Sequence, residues 1–509
     1  MRTSTAKWVT YILGFLLIYG FFTLVYGDVI ERAEQDMYIS SAPESMAYLL
    51  TQPLGHLYYA SRWVMLLCKW AALGGAFLAL VMTLTAAAAD YAFCLPRKLR
   101  GLGFLIPVAE IAWMVWRGVN LYYKNEPSMV VLVPLAALAV VLVLALLVAV
   151  ARHFAKGNAK AAPERLRPWG ALVMLLALVA TGVTTRKVNE NTILTARFQN
   201  LAAREDWDTI IEEAQKAKRP TRSVAAYYAI ALEETDQLLD HIFDIPFDYP
   251  KLKLDKYDGN EEYGIFVSDC NYHAGLLNCA YRTAMDYTVV AGPRLVSYKR
   301  MAVSALVNGE VDLCRKYLAL IEQMPFESDF VEHYKAIADN PKLAENEDVI
   351  KHVVSLYPQE DHYEQNYMPP AFLGYNVGLG KGSDNTLITS AAACLYSKDL
   401  RAFMIRAQIM KQKGMRFTEA MQQAVAIFAL KNPDVLQQFP EVSQFVPDQL
   451  RSFLLDAKPY IDDREALRRE LKEAWLGTYF YYYYTENNDP SQTVKSYDAE
   501  QKDNSAGVN

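Results

Sequence analysis

Cysteine and histidine side chains are the first candidates for chemistry in this chain of 509 residues. Cys270, His273 and Cys279 could supply thiolate and imidazole ligands to a zinc ion. Their spacing matches no common zinc finger and no fourth ligand is evident, so we predict no metal site and no cofactor. Cys270 and Cys279 could instead pair as a disulfide across a turn at Gly275, with buried thiols on helices as the alternative.

A second group of polar side chains could act as acid and base. Asp361, His362 and Glu364 are close together in the sequence, and His352 precedes them. Clusters of this kind usually lie on a solvated surface. We therefore predict no catalytic residue and keep catalysis by this group only as an alternative.

Two charged residues fall in a predicted membrane span. Glu110 and Arg117 are seven residues apart, which places them on one face of a helix. Charges within a membrane are costly and often functional. Arg117 lies at the end of the span, so only Glu110 is deep. Pairing with Lys69 or with a backbone group would make Glu110 structural, whereas a proton or ion path would make it functional.

The position of Glu110 depends on the apolar segments that are long enough to cross a membrane. The predicted spans are residues 8–26, 63–89, 102–116, 129–150 and 169–184. The third is the shortest of them and contains Pro107. We therefore predict an all-α protein that begins with a five-helix transmembrane domain, residues 1–186.

Basic residues in the short loops predict the orientation of these spans. They precede the first span, separate the second from the third, and separate the fourth from the fifth: Arg2, Lys7, Arg97, Lys98, Arg100, Arg152, Lys156, Lys160, Arg165 and Arg167. The N-terminus is then cytoplasmic, and everything after Arg186 is outside. The formal charge is +7 up to Arg186 and −13 beyond it, and the acidic part argues against binding to nucleic acid.

The sequence after Arg186 repeats a helix–turn–helix pattern. The copies are residues 192–217, 223–243, 301–324 and 391–410, with a weaker helical stretch at 418–430. These segments resemble tetratricopeptide repeats in their Ala-rich first helix and short turn, although the spacing between copies is far from 34 residues. We predict an irregular helical repeat domain over residues 187–484, with a compact helical domain without true repeats as the alternative. A polar, disordered tail is predicted at 485–509.

Tyrosine-rich segments are the predicted binding surfaces. Two inserts, residues 247–265 and 363–385, interrupt the helices, and long inserts of this kind are often functional. The candidate binding residues are Tyr363, Tyr367 and Tyr375 of the second insert and Tyr479, Tyr481 and Tyr482 of an aromatic run near the end of the chain. For the aromatic run, capping of the helical repeats is the alternative to binding.

The aromatic run, Gly477, Thr478 and Tyr479 to Tyr484, follows helical repeats and apolar spans. With apolar spans first, helical repeats next and the aromatic run last, the chain resembles an uncharacterised family of bacterial envelope membrane proteins. The resemblance implies a bacterial envelope membrane, and it implies no activity, cofactor or catalytic residue. Together with the basic loops it predicts a multi-pass protein of the bacterial inner membrane with the C-terminal domain in the periplasm.

We expect a scaffold that is anchored in the lipid bilayer and binds a protein or peptide partner at the extracytoplasmic face of the membrane. One alternative is an enzyme, or an accessory to an enzyme, that acts on envelope lipid or glycan. Another is a small transport component that uses Glu110.

Overall fold

The computed structural model describes residues 2–95, 99–117, 126–154, 169–247, 265–357 and 383–486, apart from the side chains of residues 2–7 and 117. Most of these residues are helical and none lies in a strand, so the predicted all-α fold is confirmed. The chain divides into two compact units. Unit 1 is Met1–Asn200, Thr288–Val296 and Leu320–Ser328, and unit 2 is Leu201–Tyr287, Ser297–Ala319 and Asp329–Asn509.

Apolar helices form most of unit 1. From the N-terminus the helices are α1 (Arg2–Gly20), α2 (Gly27–Gln35), α3 (Pro43–Leu50), α4 (Gly55–Met65), α5 (Ala71–Ala92), α6 (Leu105–Arg117), α7 (Met129–Phe154), α8 (Trp169–Val188) and α9 (Glu190–Ala202). A π-helical turn extends α1 to Val25. Four helical stretches are long and apolar enough to cross a membrane: Trp8–Val25, α5, α7 and α8. The remaining predicted span corresponds to a shorter apolar helix, Leu102–Trp116.

Buried ion pairs join distant parts of unit 1. They are Arg62–Glu126 at 2.7 Å, Asp36–Arg294 at 3.2 Å and Lys69–Glu327 at 2.7 Å. The Tyr38 hydroxyl also donates to the Leu320 carbonyl at 2.9 Å. Because buried charges need partners, the pairs of Asp36 and Lys69 hold the chain between α2 and α5 against the segments 288–296 and 320–328 of the same unit. The pair of Arg62 holds α4 against Glu126, shortly before α7.

The boundary of unit 1 differs from the compositional boundary at Arg186. Arg186 lies inside α8, which continues to Val188, and unit 1 extends to Asn200. The sequence becomes polar from Arg186 onward, but no residue at that point breaks the helix. The two later segments of unit 1 have no compositional signal, because ion pairs and hydrogen bonds rather than an apolar run hold them.

Unit 2 consists of helices joined mostly by short turns. After α9 the chain forms α10 (Trp207–Lys216), α11 (Arg222–Glu234), α12 (Leu238–His241), α13 (Phe266–His273), α14 (Leu277–Ala291), α15 (Leu295–Val307), α16 (Val311–Ile321), α17 (Ser328–Asp339), α18 (Asp348–Leu356), α19 (Asp384–Tyr396), α20 (Leu400–Gln412), α21 (Glu419–Ala429), α22 (Val435–Gln438), α23 (Phe445–Ala457), α24 (Arg464–Trp475) and α25 (Tyr479–Thr485). The pairs α11–α12, α15–α16 and α19–α20 are hairpins at predicted positions. The pair α13–α14 is a further hairpin that the sequence did not predict.

One turn recurs along unit 2. The residues in the left-handed conformation are Glu205, Asp236, Gly275, Gly309, Lys398 and Gly414. The N–H of each of these residues donates to the carbonyl of the residue three positions earlier. The N–H of the residue that follows donates to the carbonyl of the residue five positions before it. This bonding pattern is the Schellman motif, which satisfies the last carbonyls of a helix. The first four of these residues are 31, 39 and 34 residues apart, so this part of the unit has a repeat close to that of helical-hairpin proteins.

The centre of unit 2 contains helices that are buried on every side. All residues from Val224 to Glu233 of α11 and from Thr389 to Tyr396 of α19 are buried. Both helices are rich in alanine, which lets neighbouring backbones approach closely. A helix buried all round belongs to the core of a domain, so α11 and α19 offer no exposed face to a partner.

Candidate functional site

The aromatic run at the end of unit 2 belongs to the core. The rings of Tyr479, Tyr481 and Tyr482 are at most 1% exposed. Their hydroxyls donate to the carbonyls of Leu395, Arg468 and Tyr396 respectively. This burial favours the alternative stated for the aromatic run, a structural role: the run packs against α19, and the hydroxyls of Tyr479 and Tyr482 satisfy carbonyls at the end of that helix.

A buried lysine fixes the same region. The Lys398 ammonium donates to the carbonyls of Tyr483 at 2.7 Å and Glu486 at 3.1 Å. Burial, together with the nearby positive charge of Arg464, lowers the pKa of Lys398 to about 7. Lys398 therefore holds the turn after α19 against the last helix of the unit.

Several predicted site residues lie outside the described residues. They are Tyr363, Tyr367 and Tyr375, together with Asp361, His362 and Glu364. Their binding and catalytic roles stay predictions. The side chain of Arg117 is also outside the described part, as is the predicted tail beyond Glu486.

The cysteines of α13 and α14 form no disulfide with each other. Both lie within the described residues and are buried, and Cys270 is a free thiol whose pKa burial raises well above its ordinary value. The imidazole of His273 pairs with Glu234 instead of joining the two sulfurs. The structure thus favours the alternative stated for this pair, buried thiols on helices.

Unit 2 contains two buried carboxyl–imidazole pairs that we call the acid–histidine cluster: Glu233 with His352, and Glu234 with His273. The two glutamates end α11, and the histidines come from α18 and α13. His273 Nδ1 lies 2.6 Å from Glu234 Oε1, and His352 Nε2 lies 3.5 Å from Glu233 Oε1. The glutamate side chains are 2–4% exposed, so each carboxyl is shielded from water and has a histidine as its partner.

The electrostatics of the acid–histidine cluster favour bound protons. Burial raises the pKa of Glu233 to about 7. Burial alone would lower the pKa of His352, but its contact with Glu233 and the charges of Glu234 and Asp236 raise it. Glu233 Oε2 has no hydrogen-bond partner in the described part of the chain. The Glu233–His352 pair can therefore gain or lose protons near neutral pH, which is the chemistry of an acid–base group.

A partly exposed group of rings, which we call the tyrosine surface, comprises Tyr281, Tyr298 and Tyr317 of α14, α15 and α16. The Tyr281 and Tyr317 hydroxyls are 2.6 Å apart, and the ring of Tyr317 lies 6.0 Å from each of the other two rings. Tyr317 is buried, and burial followed by its hydrogen bond to Tyr281 raises its pKa. The two outer rings remain half-buried. The sequence did not reveal this surface, because its members are 17 and 19 residues apart and meet only through the helical hairpins.

Two buried carboxyls of unit 1 differ in their surroundings. Asp90 ends α5 and accepts the Tyr11 hydroxyl at 2.6 Å and the amides of Gly101 and Gly103 at 2.8 and 2.9 Å. Both oxygens of Glu110 are buried with no hydrogen-bond partner among the described residues.

The structural alternative for Glu110, pairing with Lys69, is not formed, because the Lys69 ammonium pairs with Glu327. A functional role for Glu110 stays a prediction.

The fold and its sites define a class: an all-helical protein with apolar N-terminal helices and a domain of helical hairpins. A family model matches residues 118–486, more than two thirds of the chain, and the chain belongs to that family, the family of unknown function DUF6057. The match begins after α6 and ends with the aromatic run, so it includes α7, α8 and the described helices of unit 2. No curated protein and no solved structure matches the chain.

Proposed function

We propose that this chain is a membrane-anchored helical scaffold of the bacterial inner membrane, whose periplasmic hairpins bind a protein or peptide partner. The observation that carries the binding part of the proposal is the tyrosine surface. Tyrosine rings supply apolar contact area at a low cost in side-chain entropy, and their hydroxyls can exchange hydrogen bonds with a polypeptide. Helical hairpins hold such rings in a fixed arrangement.

The ends of the apolar helices support the membrane anchor. Lys69 and Trp70 immediately precede α5, and the Trp70 indole is 47% exposed. Tryptophan and lysine are common where a span leaves the bilayer. The Trp70 ring also contacts the exposed ring of Phe326, with centroids 5.3 Å apart. Both rings suit the interfacial zone on the side where α5 begins, which the basic loops predict to be periplasmic.

Site-specific photo-crosslinking in cells tests the binding surface. A photoreactive phenylalanine at position 281 or 298 is expected to trap a defined partner band, and the same residue at Phe445, which is 77% exposed on unit 2, serves as the control. Bands at all three positions in equal yield would contradict a specific surface. No band at 281 or 298, with the protein present at normal level in the membrane, would also contradict the proposal.

A matched pair of variants extends this test. Replacing Tyr281 and Tyr298 with alanine should lower the yield of partner co-purification at least tenfold, because rings at the centre of an interface commonly contribute 2 kcal/mol or more each. Phe445→Ala removes an equally large exposed ring and should leave the yield unchanged. Loss of co-purification in Phe445→Ala but not in the double variant would locate the interface elsewhere.

A second candidate function is acid–base catalysis at the acid–histidine cluster, on envelope lipid or glycan. The observation in its favour is the Glu233 Oε2 atom, which lies beside an imidazole and has no hydrogen-bond partner among the residues that the structure describes. Glu233→Gln keeps the shape of the side chain and removes its proton chemistry. Complementation of a deletion strain by this variant at the wild-type level would eliminate catalysis by the cluster, whereas loss of complementation with normal folding would favour it.

A further inference from the structure

We propose that Glu110 is a proton-binding site within the membrane: its carboxyl holds a proton at neutral pH and releases it reversibly. The inference needs only the membrane anchor of the proposed function and not the binding of a partner. It assigns the proton as the ligand and the Glu110 carboxyl as the group that binds it.

The surroundings of Glu110 carry the inference. The residue is 5% exposed at the middle of α6, and neither carboxyl oxygen has a hydrogen-bond partner among the described residues. It borders a groove between α6 and α7, whose other lining residues are Leu105, Ile106, Ala109, Trp113, Val133 and Ala137. An unpaired carboxylate in such apolar surroundings costs many kcal/mol, whereas the protonated acid is neutral and costs far less.

Among the described residues, no charge on a neighbouring helix pairs with Glu110 to offset that cost. The elements packed against α6 are α5, α7, α8 and the 3-10 turn Leu102–Phe104. Their titratable and charged groups are Asp90 and Tyr91 on α5, Arg152 and His153 on α7, and Arg186 and Lys187 on α8. These groups lie in the last turns of their helices, and no described residue has a hydrogen bond or ion pair with Glu110.

Asp90 is the internal comparison. It is 8% exposed, similar to Glu110, but its two oxygens accept hydrogen bonds from three donors. The two carboxyls therefore differ in hydrogen bonding rather than in burial. This difference singles out Glu110, whose oxygens have no partner among the described residues, as the proton carrier.

An apolar carbodiimide distinguishes a protonated carboxyl group from a carboxylate. The protonated acid transfers its proton to a carbodiimide nitrogen while the carboxyl oxygen bonds to the central carbon. The acyl group then moves to nitrogen, leaving a stable N-acylurea that adds the whole mass of the reagent. A carboxylate has no proton to transfer, and dicyclohexylcarbodiimide dissolves in the bilayer beside the apolar groove.

The experiment uses the full chain reconstituted in lipid vesicles. Dicyclohexylcarbodiimide is expected to modify the peptide that contains Glu110 and not the peptide that contains Asp90, with labelling falling at least tenfold as the pH is raised to strongly alkaline values. Glu110→Gln should abolish labelling. Labelling of Asp90 instead, labelling of neither residue, or labelling of Glu110 that does not change with pH would overturn the proposal.

Infrared spectroscopy gives a readout that needs no reagent. The carbonyl stretch of protonated carboxylic acids should be weaker in Glu110→Gln than in the wild type at neutral pH, because the variant lacks one protonated carboxyl whereas Glu233 is common to both chains. Identical spectra in that region would contradict a protonated Glu110. Because crosslinking at the tyrosine surface reports on the partner alone, failure of this proposal and failure of the binding proposal are distinguishable.

Discussion

At the scale of single residues, the hydroxyls of the aromatic run satisfy carbonyls in the core of unit 2. Tyr482→Phe removes one donor and leaves the Tyr396 carbonyl without that hydrogen bond, so we expect a loss of about 1–2 kcal/mol. Tyr482→Ala also creates a cavity among packed rings and should cost about 3–5 kcal/mol. Urea unfolding of the detergent-solubilised chain, followed by helical circular dichroism, measures both values. Equal, near-zero effects would mean that the run is not part of the core.

Glu233 makes the stability of unit 2 depend on pH. Its pKa is about 7 in the folded chain against an ordinary value of 4.5, so the folded state holds the proton more tightly than the unfolded state. Its stabilising effect is complete below pH 4.5 and is lost as the pH rises through about 7. The raised pKa of His352 acts in the same direction.

The comparison of wild type with Glu233→Gln isolates this effect, because other titrating groups such as Lys398 are common to both chains. The wild-type melting temperature minus that of the variant should fall between pH 4.5 and about 7 and stay nearly constant below that window. A difference that rises with pH would show that Glu233 is stabilised as the carboxylate.

At the scale of elements, substitutions at the left-handed residue of the recurring turn should change the free energy of unfolding by predictable amounts. At Gly309, with φ +79°, an added Cβ would meet no atom within 4 Å, so Gly309→Ala carries only the left-handed backbone cost of about 1 kcal/mol. At Gly275, with φ +74°, an added Cβ would lie 2.7 Å from the backbone of Leu356. Gly275→Ala should therefore cost clearly more than Gly309→Ala.

Thermal unfolding of the two variants tests this order, with Gly414→Ala as a second position in open space. Asp236→Gly is the reverse change, and it should stabilise the chain by up to about 1 kcal/mol because glycine adopts the left-handed conformation without strain. Equal losses for the Gly275 and Gly309 variants would mean that the α13–α14 turn does not pack against α18.

The helical hairpins show which elements a sequence can predict. Periodicity and a polar turn predicted α11–α12, α15–α16 and α19–α20, because the first helix of each hairpin has 13 residues and each turn has Gly, Asp or Asn. The α13–α14 hairpin was missed because α13 is short and buried nearly throughout, which removes the contrast between faces. The tyrosine surface was missed for a related reason, since it depends on which faces of three helices meet.

At the scale of the whole molecule, composition located the apolar part but not the division into units. Hydropathy predicts spans directly, whereas the ion pairs of Asp36 with Arg294 and of Lys69 with Glu327 join residues more than 250 positions apart. Neither partner of such a pair is distinguishable in the sequence from a solvated charge. The isolation of Glu110 could be anticipated because a single carboxylate in an apolar run is visible without tertiary information.

Cysteine accessibility in spheroplasts tests whether the proposed membrane anchor holds unit 2 on the periplasmic side. Cys94 is the exposed native cysteine among the six, and it follows α5 on the predicted cytoplasmic side. Lys431, exposed on unit 2, can be changed to cysteine in a Cys94→Ser background. A membrane-impermeant maleimide should label Lys431→Cys in intact spheroplasts and should reach Cys94 of the wild type only after lysis. Labelling of Cys94 with protection of Lys431→Cys would contradict the account.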